Sequence, residues 1–345
     1  MRKAQLLLTV TFLFLCAPGA VAQNDARSDG LIVEQTPCAP NPIGTYEQYL
    51  EASKRNYAAE VEAARQEGFR MEPAANLTAR LPSKEEFERR KAYAGFECQR
   101  IKYSSDGLKV VGFIWKPKNT EGKKFPLIIF NRGGNREFGK VDPWTKFGFY
   151  GYASNGFVVI ASQYRGVDGG EGREEFGGAD VHDVLSLIPL AKSLGYVDMK
   201  NVFVLGWSRG GMETYLALKN NIPVNAAAVG GGLTDLLAVG KKRPGMISNV
   251  FKELIPDFDR RGEDLMRERS AVYWAERINV PLLIMQGGAD WRSDVSSQAL
   301  AFVQKLQELN KSYELIIYAN DDHGVSLNRE DADKRIIEWF RRYMK

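Results

Sequence analysis

The chain has 345 residues, 47 Lys and Arg against 43 Asp and Glu, and a formal charge of +4. A balance this close to even speaks against nucleic acid or an anionic membrane as a partner. Two histidines and three cysteines offer no plausible zinc-ligand spacing, and no internal repeat or low-complexity stretch stands out.

At the N-terminus, Met1-Arg2-Lys3 gives a positive start and Leu6 to Cys16 an apolar run. Ala20-Val21-Ala22 then offers an Ala-x-Ala cleavage site. Residues 1–22 read as a secretory signal peptide cut after Ala22, too short for a membrane span. Leu15 before Cys16 is not small, which argues against a lipid anchor. The expected location is secreted or periplasmic. Removing the signal leaves a charge of +2, with Cys38 and Cys98 as the remaining cysteines. An exported chain can join them, tying the N-terminal extension to the first strand; two unpaired thiols are the alternative. Asn76-Leu77-Thr78 is a glycosylation sequon, meaningful only in a eukaryotic secretory pathway.

Residues 23–94 are expected to form a short helical extension beside a catalytic domain over 95–345. Tyr49, Leu50, Ser53, Tyr57, Val61 and Ala64 recur at helical spacing, and Ser83 caps a second helix with Glu86 at its third position. Phe96–Lys102 and Leu108–Trp115 read as a β-hairpin turning at Ser105-Asp106-Gly107. Strands are then expected at Phe125–Phe130, Phe157–Ser162, Val202–Gly206, Asn225–Val229, Pro281–Gln286 and Tyr313–Tyr318. Helical segments alternate with them, which predicts a mostly parallel, doubly wound α/β sheet with helices on both faces. Glycine-rich Gly166–Gly178 lacks the spacing and Lys of a phosphate loop and reads as a surface loop. Arg165 beside it is expected to pair with Glu174 or Asp180, or else to line a cleft. The longest insertion runs from Gly231 to Arg277 (231–279 up to the next strand). It is apolar enough for a lid or pocket wall, or for plain packing.

Within this order one stretch carries chemistry. Gly206-Trp207-Ser208-Arg209-Gly210-Gly211 follows the buried-strand run Val202–Leu205 and precedes an amphipathic helix. This is the arrangement of a nucleophile elbow, where glycines permit a sharp turn that lifts one hydroxyl above the sheet. An idle serine in a glycine-rich turn is the plain alternative. A serine hydroxyl needs a neighbouring base, usually an imidazole oriented by a carboxylate. Where a strand-borne elbow is used, the acid and the histidine follow the serine in chain order, and only His323 lies beyond Ser208. His182 sits with Asp183 and Ser186 on the side of a helix opposite Val181, Val184, Leu185 and Ile188, and reads as solvated. Asp290 and Asp294 both follow the strand Pro281–Gln286. Asp290 is favoured as the orienting carboxylate, because Asp294 has a ready role as the cap of the helix beginning near Val295. Asp321 and Asp322 stand too close to His323 along the chain and read as solvated loop acids.

Tyr103-Ser104-Ser105-Asp106-Gly107-Leu108, the elbow itself, Arg269-Ser270-Ala271 with Trp274-Ala275, Gly288-Ala289-Asp290-Trp291-Arg292 and Asp322-His323-Gly324 occur in that order. Together they resemble the catalytic domain of the prolyl oligopeptidase family, from about Phe96 to the C-terminus. The resemblance implies an α/β-hydrolase fold, a Ser208–Asp290–His323 triad, no cofactor, and hydrolysis of peptide or ester bonds. The Asp-x-Arg pattern at Asp290 and Arg292 matches the family's triad aspartate. Two departures stand out. Family peptidases usually carry a β-propeller ahead of this domain, and residues 23–94 are too few for one. Post-proline members place a Tyr before a Gly-Gly after the third strand, where this chain has Arg132-Gly133-Gly134.

The oxyanion donors are expected to be the backbone N–H of Arg209 and one from the Arg132–Gly134 segment. An Arg132 side chain offers a charged donor instead, or pairs with an acid such as Glu137. The resulting expectation is a serine hydrolase acting through an acyl-enzyme on a small-molecule, ester or short-peptide substrate. An esterase for small or sugar acyl esters is the alternative. A silent hydrolase fold used for binding would show a lost triad member, and none is lost.

Overall fold

The computed structural model describes residues 29–39, 43–71, 77–78, 81–142 and 145–345. The signal-peptide reading and Asn76 of the sequon lie outside them. β-Branched and aromatic runs become nine strands: β1 Ile32–Pro37, β2 Phe96–Ser105, β3 Leu108–Pro117, β4 Phe125–Asn131, β5 Val158–Ser162, β6 Val197–Trp207, β7 Ala226–Gly230, β8 Leu282–Gly287 and β9 Tyr313–Tyr318. They form one sheet in the order β1-β2-β3-β5-β4-β6-β7-β8-β9. β1 to β3 and the β3–β5 pair are antiparallel; from β5 through β4 to β9 every pair is parallel. The β2–β3 hairpin closes over Asp106 and Gly107, both at positive φ (50° and 77°), the backbone that a two-residue turn matching strand twist requires.

Side chains of a strand point alternately to its two faces, and β6 shows the consequence. Val202 and Val204 enter one core, while Phe203 and Leu205 enter another across the sheet. Helices α1 Tyr46–Gln66, α2 Lys84–Ala92, α3 Thr145–Ser154, α4 Asp180–Leu185, α5 Leu187–Ser193 and α6 Arg209–Lys219 follow in chain order. Residues of α4 to α6 pack in the first core, and those of α3 and the C-terminal helix Arg329–Arg342 in the second. The sheet is thus covered on both faces, as a parallel sheet requires.

Two helices occur where the periodicity predicts them. Thr45 and Gln48 form a reciprocal capping box at α1, and the Ser83 hydroxyl accepts from Glu86 N–H at α2. The extension is not wholly helical, however. β1 is an edge strand whose six residues are all at least partly exposed, so it shows none of the apolar alternation by which a half-buried strand is read. Its partner strand supplies the order, and a Cys38–Cys98 disulfide fastens its end to β2.

Candidate active site

β6 ends at Trp207, α6 begins at Arg209, and Ser208 between them adopts φ 60° and ψ −125°. A β-carbon on Gly206 would lie 2.1 Å from the Gly210 carbonyl oxygen, and one on Gly210 would lie 1.9 Å from that of Asn131. No side chain fits at either place, so both glycines of the motif are structural necessities of the turn. Ser208 N–H donates to Gly230 O at 2.9 Å, which ties the elbow to β7. As the first residue of α6, Arg209 has an N–H with no intrahelical acceptor. Gly133, after β4, packs against the elbow closely enough that a β-carbon there would sit 3.1 Å from Ser208 Cβ.

His323 lies in the loop after β9, and Asp290 in the loop after β8. The two loops meet: His323 Nδ1 is 2.7 Å from Asp290 Oδ2. Asp290 is buried, and its other partners are the backbone N–H groups of Arg292 and Ser293 and the Gln286 amide. The Trp207 indole N–H donates to His323 O at 2.8 Å, fixing the histidine backbone beside the elbow strand. Ring nitrogen Nε2 is buried with no hydrogen-bond partner among the described residues, and His323 and Ser208 line the same cleft. Asp294 accepts from Ser296 and Ser297 N–H as a helix cap and pairs with Lys242 at 2.5 Å.

The cleft holds about 520 Å³. The insertion contributes Leu233, Arg243 and Met246 to its wall, whereas Val250, Phe251, Leu254 and Ile255 are buried in the first core. Most of the insertion is therefore packing. The opposite wall is α1, whose Ser53, Asn56, Tyr57 and Glu60 (one helical face at i, i+3, i+4 and i+7) turn to the cleft. Glu60 accepts from the Trp291 indole at 2.9 Å and from Arg292 Nε at 2.6 Å, and a second bond joins it to Arg292 Nη2. Burial alone would raise the Glu60 pKa; the bonds from Arg292 outweigh it and hold the carboxyl below its usual range. α1 is thus fastened directly to the loop that carries Asp290. Ser53 and Tyr57 belong to the helical pattern read in the sequence, but polar Asn56 and Glu60 give no such signal, so the role of this face as a cleft wall was not legible there.

Several charged residues are placed otherwise than the sequence suggests. The Arg132 side chain is buried away from the cleft; it donates to the carbonyls of Gln163, Gly133, Phe138 and Arg136 and lies 3.6 Å from Glu174. Its acid is Glu174 and not Glu137, which instead pairs with Lys140. The Arg209 side chain takes Glu174, Asp180 and Glu213. Arg165 therefore pairs with Asp183 and Asp106. Asp183 and Ser186 are buried, the former beneath Arg165 and Ser105, while His182 on the same helix is exposed and contacts Asp106 at 2.8 Å. The Gly166–Gly178 loop is no simple surface loop, since Glu174 and Phe176 within it are buried. Asp321 is likewise buried, accepting from the N–H groups of Asp322, Leu327 and Asn328. Arg132, Arg165 and Arg209 find carboxylates distant in sequence, which leave no local pattern, whereas Asp321 is satisfied by backbone N–H groups of its own loop.

The sequence profile of the prolyl oligopeptidase family matches residues 143–345, more than half of the chain. The chain belongs to that family. Family peptidases are serine hydrolases, and the sheet described above is their α/β-hydrolase fold. An uncharacterized peptidase of Bacillus subtilis, YtmA, is 28% identical over 246 residues, covering 71% of this chain and 92% of that protein. Dipeptidyl aminopeptidase BIII of Pseudoxanthomonas mexicana is 26% identical over 248 residues, 65% of this chain and 34% of its own length. The structure of Pyrococcus horikoshii acylaminoacyl peptidase superimposes with a TM-score of 0.65 at 24% identity, over 77% of this chain and 44% of that one. The chain therefore spans nearly all of YtmA but less than half of the other two proteins.

Proposed function

We propose that this family member is an exported serine hydrolase in which Ser208 is the nucleophile, His323 the general base and Asp290 the residue that orients it. The observation that carries this reading is His323 bonded through Nδ1 to a buried carboxylate at 2.7 Å, with Nε2 unpartnered in the cleft that Ser208 lines. Nδ1–H donates to Asp290, so the neutral ring keeps its lone pair on Nε2 for the serine proton. Ser208 Oγ attacks the substrate carbonyl, and Nε2 returns the proton to the leaving group. Water then hydrolyses the acyl-enzyme by the same route. The Arg209 N–H and an N–H of the Arg132–Gly134 segment, Gly133 being against the elbow, hold the oxyanion. Loss of one such donor costs about 3 kcal/mol of barrier stabilisation.

Two observations support the finer parts of the reading. A disulfide between Cys38 and Cys98 suits an oxidising compartment and agrees with a cleaved leader. A Z-Gly-Gly-Phe-chloromethyl ketone complex is known for an acylaminoacyl peptidase of the same fold, which favours short peptides as substrates. Small acyl esters are the second reading. It rests on Arg132, whose side chain is turned inward and adds no donor to the oxyanion site; esters tolerate this better because their leaving groups depart more easily than amines. Fluorophosphonate labelling tests the core of the proposal. Ser208 is expected to be the labelled residue, with Ser208→Ala unlabelled and His323→Ala labelled far more slowly. Label on another serine would overturn it. p-Nitrophenyl esters compared with peptidyl anilides then separate the two substrate readings.

A further inference from the structure

Five arginines are buried among the described residues: Arg132, Arg165, Arg209, Arg243 and Arg269. A guanidinium removed from water needs an acid or a full set of carbonyl acceptors. Arg132, Arg165 and Arg209 have carboxylates within 4 Å. Arg269 has carbonyls on Nε, Nη1 and Nη2, from Phe176, Leu265 and Glu175. Arg243 is different. It is 8% exposed, its Nη1 donates to Arg292 O at 3.1 Å, and its Nε is buried with no partner. Its guanidinium stacks 4.9 Å from the centre of the Trp291 ring, and no carboxylate of the described residues pairs with it.

Nearby acids do not fill the gap. Glu67, Asp290 and Glu60 favour its charge, yet desolvation and the neighbouring Arg292 cation outweigh them and draw its pKa below the ordinary guanidinium range. Glu60 is committed to Arg292 and Trp291, and Asp290 to His323. Glu67 lines a neighbouring pocket with Arg243 but forms no ion pair with it among the described residues. Arg243 also lines the cleft of Ser208 and His323, beside apolar Met246 and Leu233. We propose that Arg243 recognises a carboxylate on the substrate, so that the enzyme selects molecules pairing an apolar group with an acid over their neutral counterparts. The missing acid is brought by the ligand, and a charge-assisted bond in a partly desolvated site gives discrimination. This rests on the cleft being the substrate site, as proposed above.

Binding to the Ser208→Ala chain, read by calorimetry, tests it independently of whether Ser208 reacts. Two matched pairs are used. Ac-Phe-Glu-amide against Ac-Phe-Gln-amide reports a side-chain carboxylate; Ac-Phe with a free terminus against its amide reports a terminal one. In at least one pair the acid is expected to bind about tenfold more tightly, equivalent to about 1.4 kcal/mol, and the pair affected identifies the source. Arg243→Met in the same background should reduce the preference to within about twofold. Arg243→Gln, which removes the charge but keeps a polar stem, should do the same and serves should the Met variant fail to fold. Equal affinities in both pairs, or a preference unchanged by both substitutions, would overturn the proposal.

Discussion

Ser208 holds a backbone conformation (φ 60°, ψ −125°) that a non-glycine residue keeps only where its surroundings impose it, at a cost of about 1–3 kcal/mol. Here they do: glycines at 206 and 210 admit the turn and Gly230 O receives the Ser208 N–H. Asp290 and Asp294 lie four residues apart and face opposite fates, which makes them a sharp comparison. Asp290→Asn is expected to depress turnover by roughly 10⁴-fold through the wrong imidazole tautomer while circular dichroism stays unchanged. Asp294→Asn should leave turnover near that of the parent and cost about 1 kcal/mol of stability or less. Burial alone would raise the Asp294 pKa, but bonds from Lys242, Ser297 and Ser296 hold it below its usual range. Its contribution is therefore present above about pH 4 and lost as pH falls below that value. Denaturation of the two proteins should converge in acid. That Asp290 and His323 meet, with His323 and Ser208 on one cleft, was readable because chain order and loop position constrain them. Arg132 and Arg165 were expected to pair but with other acids than Glu174 and Asp183, since a sequence does not show which distant carboxylate a guanidinium meets. Asp183 and Asp321 are buried against the prior that places charged residues in solvent.

At the scale of elements, α1 supplies one wall of the cleft. Its existence was legible in the 3.6-residue periodicity and in the Thr45–Gln48 capping box. Its role as a wall of the cleft was not, because Asn56 and Glu60, which line the cleft with Ser53 and Tyr57, are polar and outside that pattern. The bonds of Glu60 to Trp291 and Arg292 make it the fastening between α1 and the Asp290 loop. Glu60→Gln loses the charge-assisted pair and should raise KM several-fold, with a smaller change in kcat, because the helix bounds the binding space and touches no reacting group. Steady-state kinetics on one ester decide this; an unchanged KM would remove α1 from the binding wall. The Gly231–Arg277 insertion shows the reverse case. Its apolar content allowed either a lid or packing, and most of its bulky residues are core.

For the molecule as a whole, the mostly parallel sheet and its covering on both faces were the most legible features, since strand–helix alternation admits few other topologies. β1 was the exception, being held by β2 and by the Cys38–Cys98 bond rather than by burial. That bond closes a loop with a sequence separation of 60, for which chain entropy predicts up to about 4 kcal/mol of stabilisation. Denaturant midpoints with and without reductant should differ accordingly, and no difference would assign the bond a negligible share in stability. The central claim is that one hydroxyl, that of Ser208, does the chemistry. The most direct measurement is the turnover of a p-nitrophenyl ester by Ser208→Ala with folding verified. A fall of at least about a thousandfold is expected, as loss of a triad member brings, and undiminished turnover would contradict the claim outright.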